Sequence, residues 1–168
     1  LSGMRIGVYA HSSVGRDLLA ALLRDLGAAV TELGRADTFI PVDTEAVEAA
    51  TRAQLAAWAA GGAFDAIVST DGDADRPLVT DAAGVVIPGD VLGQITAQAL
   101  DAQAVVTPVS SNSGVMLAGH FPTVLRTRIG SPFVIAGMAG HAGQRVVGYE
   151  ANGGFLLGFA ADGPAGRL

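Results

Sequence analysis

Apolar and polar positions along the chain change period repeatedly, and each change marks a boundary between elements. Residues 5–10 form a short β-branched and aromatic run, followed by His11-Ser12-Ser13, residue types that cap helices. Leu18, Leu19, Leu22, Leu23 and Leu26 then recur at helical spacing, a stripe that reads as core, and Gly27 is placed to stop the helix. Residues 28–33 predict the next strand. After a turn-rich stretch through Pro41, Asp43 or Thr44 can cap a second helix with Val47, Thr51, Leu55 and Trp58 on one face, ended by Gly61-Gly62. Residues 66–70 predict a third strand. Strand, helix, strand, helix, strand is the order of a mainly parallel sheet covered by helices.

Residues 78–80 and 85–87 flank Asp81-Ala82-Ala83-Gly84, which reads as a hairpin and not another crossover. Beyond Pro88-Gly89-Asp90 the alternation resumes: a helix to about residue 100, strand 104–109, a helix near 113–118, strand 123–127, helix 132–140 and strand 146–150. The expectation is an α/β protein of two consecutive α/β/α units with mainly parallel, mixed sheets, residues 1–87 and 88–168. Neither unit repeats the sequence of the other. Leu1 runs almost directly into the first strand, and residues 162–168 are turn-like with no closing element. Both ends read as cuts from a longer chain, with the second unit truncated.

Composition removes whole classes of function. With 168 residues, half of them apolar, the chain can bury a substantial core. The net charge of −6 leaves no basic surface to compete for a phosphate backbone, so nucleic acid is not an expected partner. All ten cationic residues are arginine, which excludes a P-loop lysine and Schiff-base chemistry. The absence of cysteine excludes disulfides, thiolate zinc sites and iron–sulfur clusters. No apolar run approaches about 18 residues and no signal-peptide layout is present, so the reading is a soluble, cytoplasmic protein with no membrane partner.

The sharpest chemical feature is Asp71-Gly72-Asp73-Ala74-Asp75-Arg76, three carboxylates alternating with small residues directly after a strand. Alternation on a loop lets Asp71, Asp73 and Asp75 converge, and three converging anions call for a cation; hard oxygen ligands suit magnesium or calcium. The bland alternative is a solvated acidic turn. An EF-hand loop would need glycine at position six and glutamate at position twelve, where Arg76 and Ala82 stand. Arg76 is either a charge-balancing partner of the acids or a guanidinium that holds an anion shared with the metal, a phosphate above all. Glu150, in Gly148-Tyr149-Glu150-Ala151-Asn152-Gly153-Gly154, also lies just past a strand, on the sheet edge where α/β proteins bind ligands. Glu150 and Asn152 could hydrogen-bond vicinal hydroxyls, although a glycine-rich turn with one acid is also an ordinary structural motif. His11, His120 and His141 are scattered and the serines of residues 110–113 lack a nucleophile elbow, so a hydrolase triad is not indicated. Gly137, Gly140 and Gly143 have the wrong spacing and setting for a dinucleotide fingerprint.

These residues carry a resemblance to the α-D-phosphohexomutases, the phosphomannomutases and phosphoglucomutases. The run from Asp71 to Arg76 is similar to that family's Asp-Gly-Asp-Gly-Asp-Arg metal loop, with only Ala74 differing. Residues 150–154 resemble its Gly-Glu-x-Ser-Gly-His sugar-recognition loop, and residues 126–130 its Arg-Thr-Lys-Val-Gly run. Order and separation agree across essentially the whole chain, which resembles the second and most of the third of four domains.

The resemblance implies a magnesium-dependent phosphotransfer. A phosphoserine on the absent first domain passes its phosphoryl group to mannose or glucose 6-phosphate, and the bisphosphosugar turns over and returns the other phosphoryl group. It implies magnesium at Asp71, Asp73 and Asp75, a catalytic Arg76 neutralising phosphoryl oxygens, and substrate contacts from Glu150, Asn152, Gly153 and Arg128. The partners implied are the hexose phosphate and the missing first and fourth domains. Asn152 and Gly154 replace the family's serine and histidine, Arg128 replaces lysine, and Ser131 stands where relatives carry Asp or His; a phosphomannomutase is favoured over a phosphoglucosamine mutase. The 168 residues alone are expected to be inactive. The competing reading is a noncatalytic magnesium and sugar-phosphate binding module.

Overall fold

The computed structural model describes residues 1–163 and 166–167. They fall into two compact units, Leu1–Ile87 and Pro88–Leu168. The first holds β1 (Arg5–Tyr9), α1 (Arg16–Asp25), β2 (Ala29–Leu33), α2 (Ala49–Ala59), β3 (Ala66–Thr70), β4 (Pro77–Thr80) and β5 (Val86–Ile87). Its sheet has the order β2-β1-β3-β4-β5, parallel from β2 to β3 and antiparallel beyond. A helix packs on each face: α1 lies against β1, β2 and β3, while Leu55 and Ala59 of α2 join Ile67, Leu78 and Val47 in a core cluster.

The second unit holds α3 (Gly89–Ala99), β6 (Ala104–Pro108), α4 (Gly114–Leu117), β7 (Thr123–Thr127), α5 (Ser131–Ala139), β8 (Val146–Tyr149), β9 (Phe155–Leu157), β10 (Asp162–Gly163) and β11 (Gly166–Arg167). Its main sheet runs β7-β6-β8-β9, again parallel around a central strand with an antiparallel edge. Strand β6 is buried along its whole length, and its side chains divide by the two-residue period. Ala104 and Val106 join Val134 of α5, while Val105 joins Ala97 of α3 and Tyr149. The helices sit flush because glycines face them: a Cβ on Gly148 would stand 2.5 Å from Val134, and one on Gly93 2.4 Å from the Tyr149 ring.

Four sequence expectations need correction. Neither Asp43 nor Thr44 caps α2; Asp43 Oδ1 accepts from the amides of Glu45 and Ala46 in a local Asx turn, and α2 starts at Ala49 with an extended Glu48 before it. The leucine stripe of α1 is only partly core: Ala20 is fully buried, but Leu18 and Leu22 are 76% and 51% exposed. Those two lie on the flank of the helix that the sheet does not cover. Strand β9, a short edge after a glycine turn, was not foreseen. Strands β10 and β11 pair antiparallel where a turn-like stretch was expected; that stretch also includes residues 164, 165 and 168, outside the described residues.

The two sheets share a topology without sharing sequence. In each, the first strand is central, the second flanks it on one side and the third on the other, so the chain reverses direction across the sheet at the first strand. Ligand crevices of open α/β sheets lie at that switch point, outside the carboxyl ends of the strands. In the first unit the loops there follow β1 and β3, residues 10–15 and 71–76. In the second they follow β6 and β8, residues 109–113 and 150–154.

Candidate functional site: an acidic loop and a glycine-rich turn

The loop after β3 is closed on itself. The amide of Asp71 donates to the carbonyl of Arg76 at 3.1 Å, and Asp71 Oδ1 accepts from the amides of Asp75 (3.1 Å) and Arg76 (3.2 Å). Ala74 takes the turn at φ +67°, a left-handed conformation that glycine adopts more cheaply. This winding brings one oxygen each of Asp71, Asp73 and Asp75 within 4.8 Å of one another. Oxygens on a single magnesium ion, at about 2.0–2.1 Å each, stand no more than about 4.2 Å apart. Asp71 is held rigidly, its side chain 11% exposed, and the more exposed Asp73 and Asp75 have freedom to close the remaining gap. Donor chemistry and spacing both fit a hard divalent cation.

Arg76 leans over this loop, its Nε 3.8 Å from Asp71 Oδ2 and 3.6 Å from Asp75 Oδ1. Both separations exceed hydrogen-bond length and the side chain is 46% exposed, so part of the guanidinium faces solvent. Beside the acids opens a cleft of about 560 Å³ whose other wall is mostly apolar, with Val14, Phe39, Pro41 and Val42, and carries one further carboxylate, Asp43. An anion entering it would meet the acidic loop with its cation-type geometry, Asp43 and a single arginine, Arg76.

In the second unit Glu150 opens a tight turn. Its amide donates to the carbonyl of Gly154 (3.0 Å), Gly153 donates back to Glu150 (3.1 Å), and Asn152 Oδ1 accepts from the amide of Gly154 (2.9 Å). Gly153 sits at φ +92°, and the turn rests on Gly89, where a Cβ would approach the Gly153 nitrogen to 2.4 Å. Glu150, Asn152 and Gly153 are thus brought together in one turn. Arg128 lies elsewhere on the same sheet edge, just past β7, exposed and stacked at 4.4 Å on the Phe133 ring. Its neighbour Arg126 is structural: its guanidinium donates to the carbonyls of Val109, Ser111 and Asn112, gathering the loop after β6.

His11, Ser12 and Ser13 do not cap α1 as expected, since its N-cap is Gly15 and carries no side-chain bond; sequence reasoning missed what this loop after β1 does instead. His11 is fully buried, its Nε2 donating to the carbonyl of Thr70 at 2.8 Å, and the Ser13 hydroxyl meets that of Thr70 at 2.7 Å. The available signal was positional, because a loop leaving the central strand of such a sheet must adjoin the loop leaving the third. Among the described residues, no helix is long and apolar enough to cross a membrane.

Fold and site together define an α/β protein with a cation-type carboxylate loop and a glycine-rich acidic turn, each at the switch point of its own doubly wound unit. Family models agree: phosphoglucomutase/phosphomannomutase, alpha/beta/alpha domain II, matches residues 1–84, and domain III of the same family matches residues 88–164. The chain belongs to the phosphoglucomutase/phosphomannomutase family. It is 55% identical to a phosphomannomutase of Sinorhizobium fredii and 49% identical to one of Salmonella muenchen, in each case over 94% of this chain and 34% of the relative. The chain therefore spans about a third of the length of those relatives. A solved structure of a phosphoglucomutase/phosphomannomutase family protein from Burkholderia thailandensis superposes with a TM-score of 0.69 over 92% of this chain and 35% of its own, at 19% identity.

Proposed function

We propose that this chain is the metal-binding and sugar-recognition portion of a phosphohexomutase that interconverts a hexose 6-phosphate and a hexose 1-phosphate, with mannose phosphate the favoured substrate. The observation that carries the reading is the convergence of the Asp71, Asp73 and Asp75 oxygens at the switch point of the first unit. Magnesium held there supplies positive charge to a phosphoryl group in transfer, where charge stabilisation and positioning are most of what catalysis requires. The Asp71 carboxylate, pinned by two backbone amides, holds its ligand position, and Arg76 offers donors to a phosphoryl oxygen on the same side. Glu150 accepts from sugar hydroxyls, with Asn152, Gly153 and Arg128 completing the contacts to substrate. The phosphoryl group moves from a serine oxygen of the parent's first domain to a sugar hydroxyl, and the other phosphoryl group of the bisphosphosugar returns to that serine as the product leaves. The preference for mannose rests on the names of the two relatives and on the departures at Asn152 and Gly154.

The test uses the full-length parent. Asp73→Asn lowers kcat on mannose and glucose phosphates alike, by at least about a hundredfold, because it removes charge stabilisation common to both. Glu150→Ala raises KM by about tenfold or more and changes the ranking of the sugars, because the lost hydrogen bonds go to hydroxyls that differ between them. Equal effects of both substitutions on every substrate remove the assignment of Glu150 to sugar recognition. Absence of turnover by the unsubstituted parent supports the noncatalytic binding module.

A further inference from the structure

The loop between β1 and α1 belongs to neither acidic motif, yet its polar atoms bond to Thr70, directly before the metal loop, and to Gly72 within it. Thr70 Oγ1 lies 3.0 Å from the carbonyl of Asp71, within donating reach. The Ser13 and Thr70 hydroxyls share a hydrogen bond of 2.7 Å, and Ser13 Oγ accepts from the amide of Gly15 (3.2 Å). One chain of polar contacts links Gly15 through Ser13 and Thr70 to the Asp71 carbonyl. His11 Nε2 donates to the Thr70 carbonyl, the amide of Val14 donates to the carbonyl of Gly72 (3.0 Å), and Gly15 lies so close that a Cβ there would stand 2.6 Å from the Cβ of Ala74.

The same loop grips the opposite wall of the cleft. Ser12 Oγ accepts from the amide of Ile40 (2.8 Å) and donates to its carbonyl (3.3 Å), fixing the segment that carries Phe39 and Pro41. Arg16 donates to the carbonyls of His11 and Ala36 (2.8 and 2.9 Å), tying the loop to the chain that leads into that segment.

We infer that residues His11 to Gly15 are a latch that positions the metal loop, with Ser13 and Gly15 setting the cation affinity of Asp71, Asp73 and Asp75 without touching the ion. The inference rests on the metal reading proposed above and adds the residues that tune it. Partners behind a ligand set metal affinity because each ligand's freedom is lost before the ion arrives. Here the partners act at two points of the loop: Thr70 anchors its entry, and Gly15 meets Ala74 at its turn. Gly15 has φ −91°, a conformation open to any residue, so the demand for glycine comes from the Ala74 contact alone.

That contact supplies the decisive variants. In this chain, calorimetric titration with magnesium should show Ser13→Ala and Gly15→Ala each binding about tenfold or more weakly than the unsubstituted protein. Gly15→Ala combined with Ala74→Gly, which deletes the colliding methyl, should bind within about threefold of it. Amide hydrogen exchange without metal should quicken at residues 70–76 in both single variants and return to normal in the double one, while the protection of α2 and β1 stays put. Unchanged affinity and exchange in the single variants overturn the latch, and so does loss that is uniform across the unit or that Ala74→Gly fails to rescue. If the unsubstituted protein takes up no magnesium, the metal reading falls, and the exchange pattern alone decides whether residues 11–15 brace the loop.

Discussion

Tyr149 shows how much one side chain can report. It is 1% exposed at the end of β8, its ring pressed against Gly93, one residue before Glu150. Burial, and then the nearby Asp90 carboxylate, push its hydroxyl up to about 12, against a smaller opposing pull from Arg126. An acid whose folded pKa lies above its unfolded value near 10 contributes stability in full below pH 10, and that contribution is lost as pH rises toward 12. The loss is at most about 1.4 kcal/mol per pH unit, or roughly 3 kcal/mol in all. Tyr9 is shifted in the same direction, so the informative quantity is a difference. Urea denaturation between pH 9 and 11.5 should show the stability of the native protein falling faster than that of Tyr149→Phe. Parallel curves would mean that the hydroxyl ionises as freely in the folded state as in the unfolded one.

At the scale of elements, periodicity located every helix and the principal strands, because buried faces impose their period on the sequence. The misses have physical causes. Asp43 is a competent cap, but its carboxylate found nearer amides in an Asx turn, and composition cannot distinguish the two uses. On α1 the leucines cover a broader arc than the sheet does, so the buried pole falls at Ala20 and Leu18 is left outside. Of the candidate site, the convergence of the acidic loop was legible because acids alternating after a strand lie on one short turn, whereas the contacts of His11 and Ser13 were not, since they depend on a neighbour nearly sixty residues away. The α1 finding has a measurable consequence. Leu18→Glu should change unfolding stability by no more than about 0.5 kcal/mol. Leu55→Ala on α2, fully buried among Ile67 and Leu78, should cost about 2–5 kcal/mol. A large loss at Leu18 would contradict the exposed flank.

For the molecule as a whole, the question is what these 168 residues can do by themselves, given that the relatives they match are about three times as long. Phosphoryl transfer in this family's manner needs a phosphorylated nucleophile held in line with a sugar hydroxyl, at about 3 to 3.5 Å. Ser13 stands beside the metal loop through its bond to Thr70, and the structure removes it from contention. It is 3% exposed, its hydroxyl is bonded to that of Thr70 and its oxygen accepts from Gly15, so neither a phosphoryl group nor a sugar can reach it without breaking the latch. No lysine exists anywhere in the chain to help hold a distant phosphate. The chain by itself should therefore bind magnesium and bind sugar phosphate weakly, and should not convert mannose 1-phosphate to mannose 6-phosphate in a coupled assay. Activity should appear when the same residues stand in the full-length parent. Turnover by the purified chain, free of host mutase and abolished by Asp73→Asn, would overturn this account, and persistence of that turnover in Ser13→Ala would place the nucleophile at a residue other than Ser13.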